Sequence, residues 1–352
     1  MSGVNLINPK FIKLLKKVLP VIGIILFIYI INDIGPSKVV SALLGISPWI
    51  IGLIIALGFI RILLNNYIWQ IILKRQKIKI RFFQSLKINL VGRFYGFSTP
   101  GQLGRYTKLV YLKEKTNEPL GKLFINLNIG YILNAFAFYV LLLIASFLIA
   151  ERFPYIFIGV LLYVSIIVTF YLCFAKRERG EKVLKILIKY LVPKRLKDTL
   201  TKFTETFYDD FPKIRELILP FLLNVYLQIL IYFQLYIIAM SLGIKVPFYI
   251  IFVFFSIAGI VAAFPTSVIG GLGIREVTLW FLFSPFGIEL DRIIALSLAN
   301  YILAGLLPAS YGLVLAVIDA RNKKQRLLLK SPISLKKLSL IKDIVLTPIW
   351  KK

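Results

Sequence analysis

Long apolar runs decide what this chain can fold into. A helix crosses the ~30 Å hydrocarbon core of a bilayer with about 20 residues, and six stretches of roughly that size stand out in the 352 residues. They lie near residues 18–31 with their flanks, 48–73, 123–150, 155–175, 217–242 and 291–317. Because 59% of the residues are hydrophobic and only 17% are charged, a water-soluble globular enzyme is excluded. The sequence predicts an all-α, polytopic membrane protein with one transmembrane domain over residues 1–320.

Two interrupted segments are too short to cross a bilayer. Residues 83–98 contain charged and amide side chains and lead into a Pro-Gly motif at 99–105. Residues 248–264 are apolar and lead into a Gly-rich motif at 265–276, after which the apolar run 277–288 would form a helix only about 18 Å long. We therefore expect two re-entrant hairpins in addition to the six full spans.

Basic residues are distributed unevenly between the two sides of this topology. The chain has 44 Lys and Arg against 16 Asp and Glu, and 38 of the 44 fall on the side that holds both termini. The positive-inside rule assigns that side to the cytoplasm, which predicts a multi-pass protein of the plasma (inner) membrane. Residues 176–216 are predicted to form a basic amphipathic cytoplasmic loop and residues 321–352 a basic tail. Both are expected to bind anionic inner-leaflet lipids rather than nucleic acid.

The predicted orientation gives the chain an inverted repeat. Residues 48–150 and 217–317 each contain a span, a hairpin and a second span, and the two hairpins open from opposite sides. The similarity between the units is limited to a Pro, a Gly pair and an Arg, so the prediction rests on topology. Interrupted short segments in corresponding halves are typical of the central binding site of a transporter.

The two interruptions are candidate anion-binding elements. A chain that reverses at membrane depth has unpaired backbone amides, and the start of a half-helix directs N–H groups and a positive dipole inward. Arg105 and Arg275 follow the interruptions and could each clamp a phosphate bidentately. Alternatively, the glycines allow close helix packing and the arginines snorkel or pair with carboxylates. The predicted substrate-binding residues are Pro100, Gly101, Gln102, Gly104, Arg105, Asn134, Gly271, Gly273, Arg275 and Glu276.

Other polar residues in the apolar segments have alternative interpretations. Glu276 is expected to neutralise an arginine of the empty site, with Arg105 as the favoured partner, to carry a proton, or simply to meet a helix dipole. Another group is interpreted as an interfacial belt rather than a binding site, and it consists of Arg61, Asn65 and Asn66 with Tyr67 and Trp69 nearby. Three amides on one span could hydrogen-bond a sugar or bridge helices, and these are Asn126, Asn128 and Asn134.

The sequence offers few groups for metal or cofactor chemistry. With no His and only Cys173, the chain cannot build a Cys/His zinc site, a disulfide, a haem site or a histidine base. We therefore expect no metal and no cofactor, and we expect a transporter rather than an enzyme.

The order of these elements resembles the lysylphosphatidylglycerol synthase transmembrane-region family, which includes the flippase half of the multiple peptide resistance factor. The resemblance covers residues 9–320 and rests on the Gly-Gly-Leu-Gly-Ile-Arg-Glu motif at 270–276, with weaker support from the Pro-Gly motif. It implies a lipid-handling protein with two re-entrant elements. Arg105 stands where the family usually has an acidic residue, and uncharged positions around 126–134 replace an acidic-arginine pair. These departures imply a different ion coupling or headgroup preference.

The resemblance and the charge pattern together predict translocation of an anionic or lipid-linked amphiphile, such as a phospholipid or a polyprenyl-phosphate sugar, between leaflets. Only about 30 residues follow the last span, so an aminoacyl-transfer domain is not expected. The alternatives are a membrane-embedded glycosyl or lipid-headgroup transferase and a non-catalytic scaffold. A homo-oligomer is compatible with all three.

Overall fold

A computed structural model describes Ser37 and residues 44–175, 212–262 and 274–330. Within these residues the chain is all-α and contains no strand. The described α-helices are α1 (Pro48–Arg75), α2 (Phe82–Phe97), α3 (Thr107–Thr116), α4 (Leu120–Phe147), α5 (Pro154–Ala175), α6 (Ile214–Ser241), α7 (Phe248–Ala262), α8 (Ile274–Phe283), α9 (Leu290–Asn300) and α10 (Leu307–Lys330). A 3-10 turn, Pro100–Tyr106, precedes α3, a second one, Ser284–Phe286, follows α8, and a π-helical turn, Tyr301–Leu306, joins α9 to α10.

Five helices are long and apolar enough to cross a membrane, so the protein is a multi-pass membrane protein. Four of them are α1, α4, α5 and α6, and the fifth runs without a break through α9 and α10 over Leu290–Asp319. They coincide with five of the six predicted spans. The span predicted near residues 18–31 lies outside the described residues, as do most of the predicted basic loop and the end of the predicted basic tail.

The segments predicted to be too short to cross form the short helices α2, with 16 residues, α7, with 15, and α8, with 10. α3, which follows the first interruption, has 10 residues. At a rise of about 1.5 Å per residue, none of these helices reaches beyond ~24 Å. The first interruption is the turn at Pro100–Tyr106. The second, with Gly271 and Gly273, lies outside the described residues.

The largest apolar cluster surrounds α7. Ile251, Val253, Phe254 and Ala258 of this helix are completely buried against side chains of α1, α4, α5, α6, α8 and α9. A helix that is apolar on all sides has to be enclosed by others, which explains why the most hydrophobic short segment of the chain lies inside the bundle. Smaller clusters pack α2 and α3 against α1, α4 and α10. A polar space is left between these clusters and the main core.

α2 crosses α10 at a point where only glycine fits. A Cβ atom built on Gly312 would lie 2.1 Å from the backbone oxygen of Leu90 and 2.8 Å from the Cβ of Phe94. The crossing is also tied by an ion pair between Lys87 and Asp319, 2.9 Å long. This contact positions α2, which supplies much of the wall of the polar space.

The Gly312→Ala variant is expected to lower the free energy of unfolding by ~2 kcal/mol or more, because an added methyl group at a backbone contact forces the helices apart. Unfolding in detergent, followed by tryptophan fluorescence, measures the change. The matched control is Gly52→Ala in α1, where nothing lies within 4 Å of the added Cβ, and this variant should be as stable as the native chain or more stable. Equal stability of the two variants would contradict the packing described.

Candidate functional site

A central cavity of about 450 Å³ lies between α1, α2, α3, α4, α6 and the π-helical turn. Arg61 is the fourteenth of the 28 residues of α1, and Asn134 is the fifteenth of the 28 residues of α4. Each therefore lies about 20 Å from either end of its spanning helix. The cavity is at mid-depth in the bundle, where a membrane protein would hold a group that lipid cannot solvate.

Four cationic side chains line the central cavity, and no acidic residue is among the described residues of its wall. They come from four elements: Arg61 from α1, Arg93 from α2, Arg105 from the 3-10 turn and Lys108 from α3. Like charges in a medium of low dielectric repel one another, and a buried charge without a partner is costly. The wall therefore favours an anion.

Arg61 is almost completely buried, with 8% of its surface exposed. Its guanidinium donates to the side-chain oxygen of Gln234 on α6, and Gln234 in turn donates to the backbone oxygen of Ile54 over 2.9 Å. The Nε of Arg61 has no hydrogen-bond partner among the described residues. A neutral amide thus holds the side chain in place, while its charge and one donor stay unmatched.

Arg93 makes no hydrogen bond and no ion pair with any residue that the structure describes. It lies on α2 and lines the cavity together with Gly92 and Gly96. Because no described residue accepts a hydrogen bond from this guanidinium, its donors can bind a ligand in the cavity.

Lys108 lies flat against α2 because a glycine leaves room for it. A Cβ on Gly92 would come within 2.4 Å of the Cγ of Lys108. The ammonium group donates to the side-chain oxygen of Asn89 over 2.6 Å and lies 5.4 Å from the ring centre of Trp69. The amide and the ring are both neutral, so the contacts of Lys108 orient the charge without cancelling it.

Arg105 is held over an aromatic ring at the edge of the cavity. Its guanidinium lies 4.8 Å from the ring centre of Tyr131, and it donates to the backbone oxygen and side-chain oxygen of Gln102. Gly96 allows this approach, because a Cβ there would lie 3.3 Å from the Cβ of Arg105. The 3-10 turn thus delivers its arginine to the same face of α2 as Lys108.

Amides complete the wall on the side of α4 and α6. Asn134 donates to the side-chain oxygen of Asn224 over 3.1 Å, and Gln228 donates to the side-chain oxygen of Asn134 over 3.2 Å. The hydroxyl of Tyr131 is buried and has no hydrogen-bond partner among the described residues. This part of the wall can hydrogen-bond neutral groups of a ligand.

The structure brings together three of the predicted site residues on the cavity wall: Gln102, Arg105 and Asn134. Gly104 does not line the cavity but packs the 3-10 turn against the end of α2. Its backbone N–H donates to the Thr99 hydroxyl over 2.7 Å, and a Cβ atom on it would lie 2.1 Å from the backbone oxygen of Tyr95. Pro100 and Gly101 begin the same turn. Gly271 and Gly273 lie outside the described residues.

The predicted residues Arg275 and Glu276 do not line the central cavity. They form an ion pair 2.9 Å long, with side chains only 13% and 12% exposed, and both contact the Ser297 hydroxyl of α9. Arg275 also lies over the ring of Tyr301, which packs against Phe97 of the cavity wall. The expected pairing of Glu276 with Arg105 is not among the described contacts, because the long Arg275 side chain folds back onto its neighbour.

The interpretation of Arg61 and Trp69 as an interfacial belt is wrong. Trp69 is 6% exposed, and its indole N–H donates to the side-chain oxygen of Asn126 over 2.8 Å. Asn126 in turn donates to the side-chain oxygen of Gln76 over 2.7 Å, so this amide bridges helices. The position of Arg61 at the middle of its span was the signal for an interior site, since a cation at that depth rarely faces lipid.

Lys108 makes the cavity sensitive to pH. Burial and repulsion by Arg93 and Arg105 lower the pKa of Lys108 from 10.5 to about 7, and α3 lies outside the five spanning helices. A lowered pKa means that Lys108 is charged below pH 7 and increasingly neutral above it. A bound anion favours the charged form and raises this pKa.

The affinity for dihexanoyl phosphatidylglycerol, whose phosphodiester does not titrate in this range, is therefore expected to fall about tenfold from pH 6 to pH 8. Isothermal titration of the detergent-solubilised protein measures it. Lys108→Met should bind more weakly at pH 6 and show no such slope. An affinity that rises from pH 6 to pH 8, or a fall that Lys108→Met retains, would contradict the assignment of this pH dependence to Lys108.

Among the described residues, no group of three His, Cys, Asp or Glu side chains could hold a metal ion. In a comparison with protein families, the family described as "Lysylphosphatidylglycerol synthase TM region" matches residues 17–317. No curated protein matches the chain.

Proposed function

Because the chain belongs to the lysylphosphatidylglycerol synthase TM-region family, we propose that it translocates an amphiphile with an anionic head between the two leaflets of a membrane. The head occupies the central cavity, and the apolar tails stay in the surrounding lipid. One observation carries the proposal: four cations and no acidic side chain line the described wall of the cavity at mid-depth.

The charged head is what makes spontaneous lipid movement slow. A phosphate in hydrocarbon loses its hydration, and that loss is far costlier than the movement of the tails. The cavity replaces water with guanidinium groups that bind phosphate bidentately and with amides that bind neutral groups. Because Arg61 and Asn134 are at mid-length of spanning helices, this replacement is offered where hydration is lowest.

The topology that we propose has six spans, the first of which lies near residues 18–31. The protein is placed in the plasma (inner) membrane, with both termini in the cytoplasm. α2 with α3, and α7 with α8, form re-entrant elements in inverted units over residues 48–150 and 217–317. The lengths of these four helices support this arrangement, since each is too short to cross. The basic segments at 176–216 and 321–352 bind anionic lipids of the inner leaflet.

The proposal is tested with purified protein in liposomes that contain phosphatidylglycerol labelled on one acyl chain. Chemical quenching of the outer-leaflet label shows how much lipid has changed sides, and mass spectrometry shows whether it has been altered. We expect the quenched fraction to rise from about half towards completeness, with unchanged lipid mass. A product of new mass would indicate a transferase, and no relocation beyond that of protein-free liposomes would contradict the proposal.

A further inference from the structure

Three cations of the central cavity, Arg93, Arg105 and Lys108, lie near one another. Arg105 and Lys108 share the Tyr131 ring, with distances of 4.8 and 5.9 Å to its centre. Both also rest on the same face of α2, at Gly96 and Gly92, which are one helical turn apart. Arg93, which follows Gly92 in α2, lines the same cavity, and its charge acts on the Lys108 ammonium as that of Arg105 does. Three positive charges therefore line one cavity within reach of one another's electrostatic effect.

None of the four cations is neutralised by a described contact in the cavity. The hydrogen-bond acceptor of Arg61 is the Gln234 amide, that of Lys108 is the Asn89 amide, and those of Arg105 belong to Gln102. An amide orients a cation but does not cancel its charge, so the cations of the empty cavity repel one another. A ligand with one negative charge would remove only part of this repulsion, whereas each further negative charge would remove more.

A positive group on the ligand would increase the repulsion in the cavity. A choline, an ethanolamine or an aminoacyl head would bring an ammonium group among cations, and the described wall has no carboxylate to receive it. Juxtaposed like charges of this kind discriminate strongly between ligands.

We infer that the central cavity selects headgroups with two or more negative charges and no positive one, that is, phosphomonoesters and diphosphates over phosphodiesters and zwitterions. This inference rests on the proposed function and adds the substrate class. It assigns Arg93, Arg105 and Lys108 to the phosphate that carries the extra charge. Arg61, which is almost completely buried and whose Nε has no partner among the described residues, adds a fourth positive charge to the same wall.

Three lipids with identical short tails test the inference on the detergent-solubilised full-length protein at pH 7.5. Dihexanoyl phosphatidic acid carries a monoester, dihexanoyl phosphatidylglycerol a diester and dihexanoyl phosphatidylcholine a zwitterionic head. Isothermal titration at constant ionic strength should give a dissociation constant at least tenfold lower for phosphatidic acid than for phosphatidylglycerol, with phosphatidylcholine the weakest. The Arg93→Gln variant should lose most of the difference between the first two lipids.

The control variant is Arg81→Gln, which removes an exposed arginine at the start of α2 and should keep the full difference. If phosphatidylglycerol binds as tightly as phosphatidic acid, the selectivity is wrong while the proposed function stands. If the selectivity survives Arg93→Gln but not Arg81→Gln, the binding site is on the basic surface and the inference is overturned. If none of the three lipids binds, the proposed function itself fails.

Discussion

Replacing Arg93 with alanine is expected to slow lipid relocation in the liposome assay at least about 100-fold. Removing one charged partner from a buried phosphate contact typically costs ~2–5 kcal/mol, and ~2.7 kcal/mol corresponds to two powers of ten in rate. Arg93 is the cation with the greatest expected effect because no described residue shares its donors. The variant should lose lipid transport while the stability of its fold is retained.

The fold of Arg93→Ala is expected to be at least as stable as that of the native chain. Arg93 makes no hydrogen bond or ion pair with a described residue, and its removal relieves repulsion with its cationic neighbours. Thermal unfolding in detergent provides this measurement, and Arg81→Ala is the matched control, with unchanged relocation and stability. A variant that loses relocation only because it unfolds would show that Arg93 is structural, and normal relocation would show that the cavity is not the lipid path.

The charges of the whole cavity explain why Arg93→Ala is expected to lose activity and keep its stability. The described wall collects four cations and no carboxylate, which raises the free energy of the folded state, and a chain under selection for stability alone would not keep it. Residues that break the rules of stable packing concentrate at functional sites. The electrostatic cost of these four cations therefore favours a wall that has evolved to bind an anionic ligand.

The spans could be predicted from the sequence because a long apolar run has few alternatives. α1, α4, α5, α6 and Leu290–Asp319 lie where apolar runs of about 20 residues predicted them. The short helices α2, α7 and α8 were also predictable, since the length of an apolar run limits how far a helix can reach. Both predictions depend only on the length of a single helix, which follows directly from the number of consecutive apolar residues in the sequence.

The cavity could be predicted only in part, because the sequence does not give the direction in which a side chain points from a helix. Arg105, Gln102 and Asn134 were found through a Pro-Gly motif and an amide-rich span. Arg93 entered the prediction only as a charged residue of the interrupted segment 83–98, and Lys108 only as a basic residue on the cytoplasmic side, although Gly92 and Gly96 flank Arg93 in the sequence. A glycine pair one turn apart next to cations was the available signal for close backbone approach.

The Arg275–Glu276 pair shows a second limit of arguments from spacing. Neighbouring residues on a helix point about 100° apart, which favoured a distant partner for Glu276. The arginine side chain is long enough to overcome that angle, and the Ser297 hydroxyl of α9 contacts both charged groups. The pair anchors the first turn of α8 to α9, and its removal has a measurable consequence.

The Glu276→Ala variant is expected to lower the free energy of unfolding by ~3 kcal/mol, because it leaves the Arg275 guanidinium largely buried without its carboxylate partner. Of the described contacts of Arg275 with polar atoms, only those with Ser297 would remain. Titration with a denaturing detergent, followed by circular dichroism, measures the change. The matched control is Glu289→Ala, which breaks the exposed pair with Arg292 and should cost less than ~1 kcal/mol.

The double variant Arg275→Met with Glu276→Gln distinguishes a structural pair from a functional carboxylate. It removes both charges and keeps the side-chain volumes similar, so it should recover most of the stability that Glu276→Ala loses. If the pair only anchors α8, the double variant also relocates lipid at close to the native rate, because neither residue lines the cavity. If Glu276→Ala is instead stable but inactive, Glu276 takes part in transport directly, as a proton carrier would, and the anchoring function assigned to the pair is wrong.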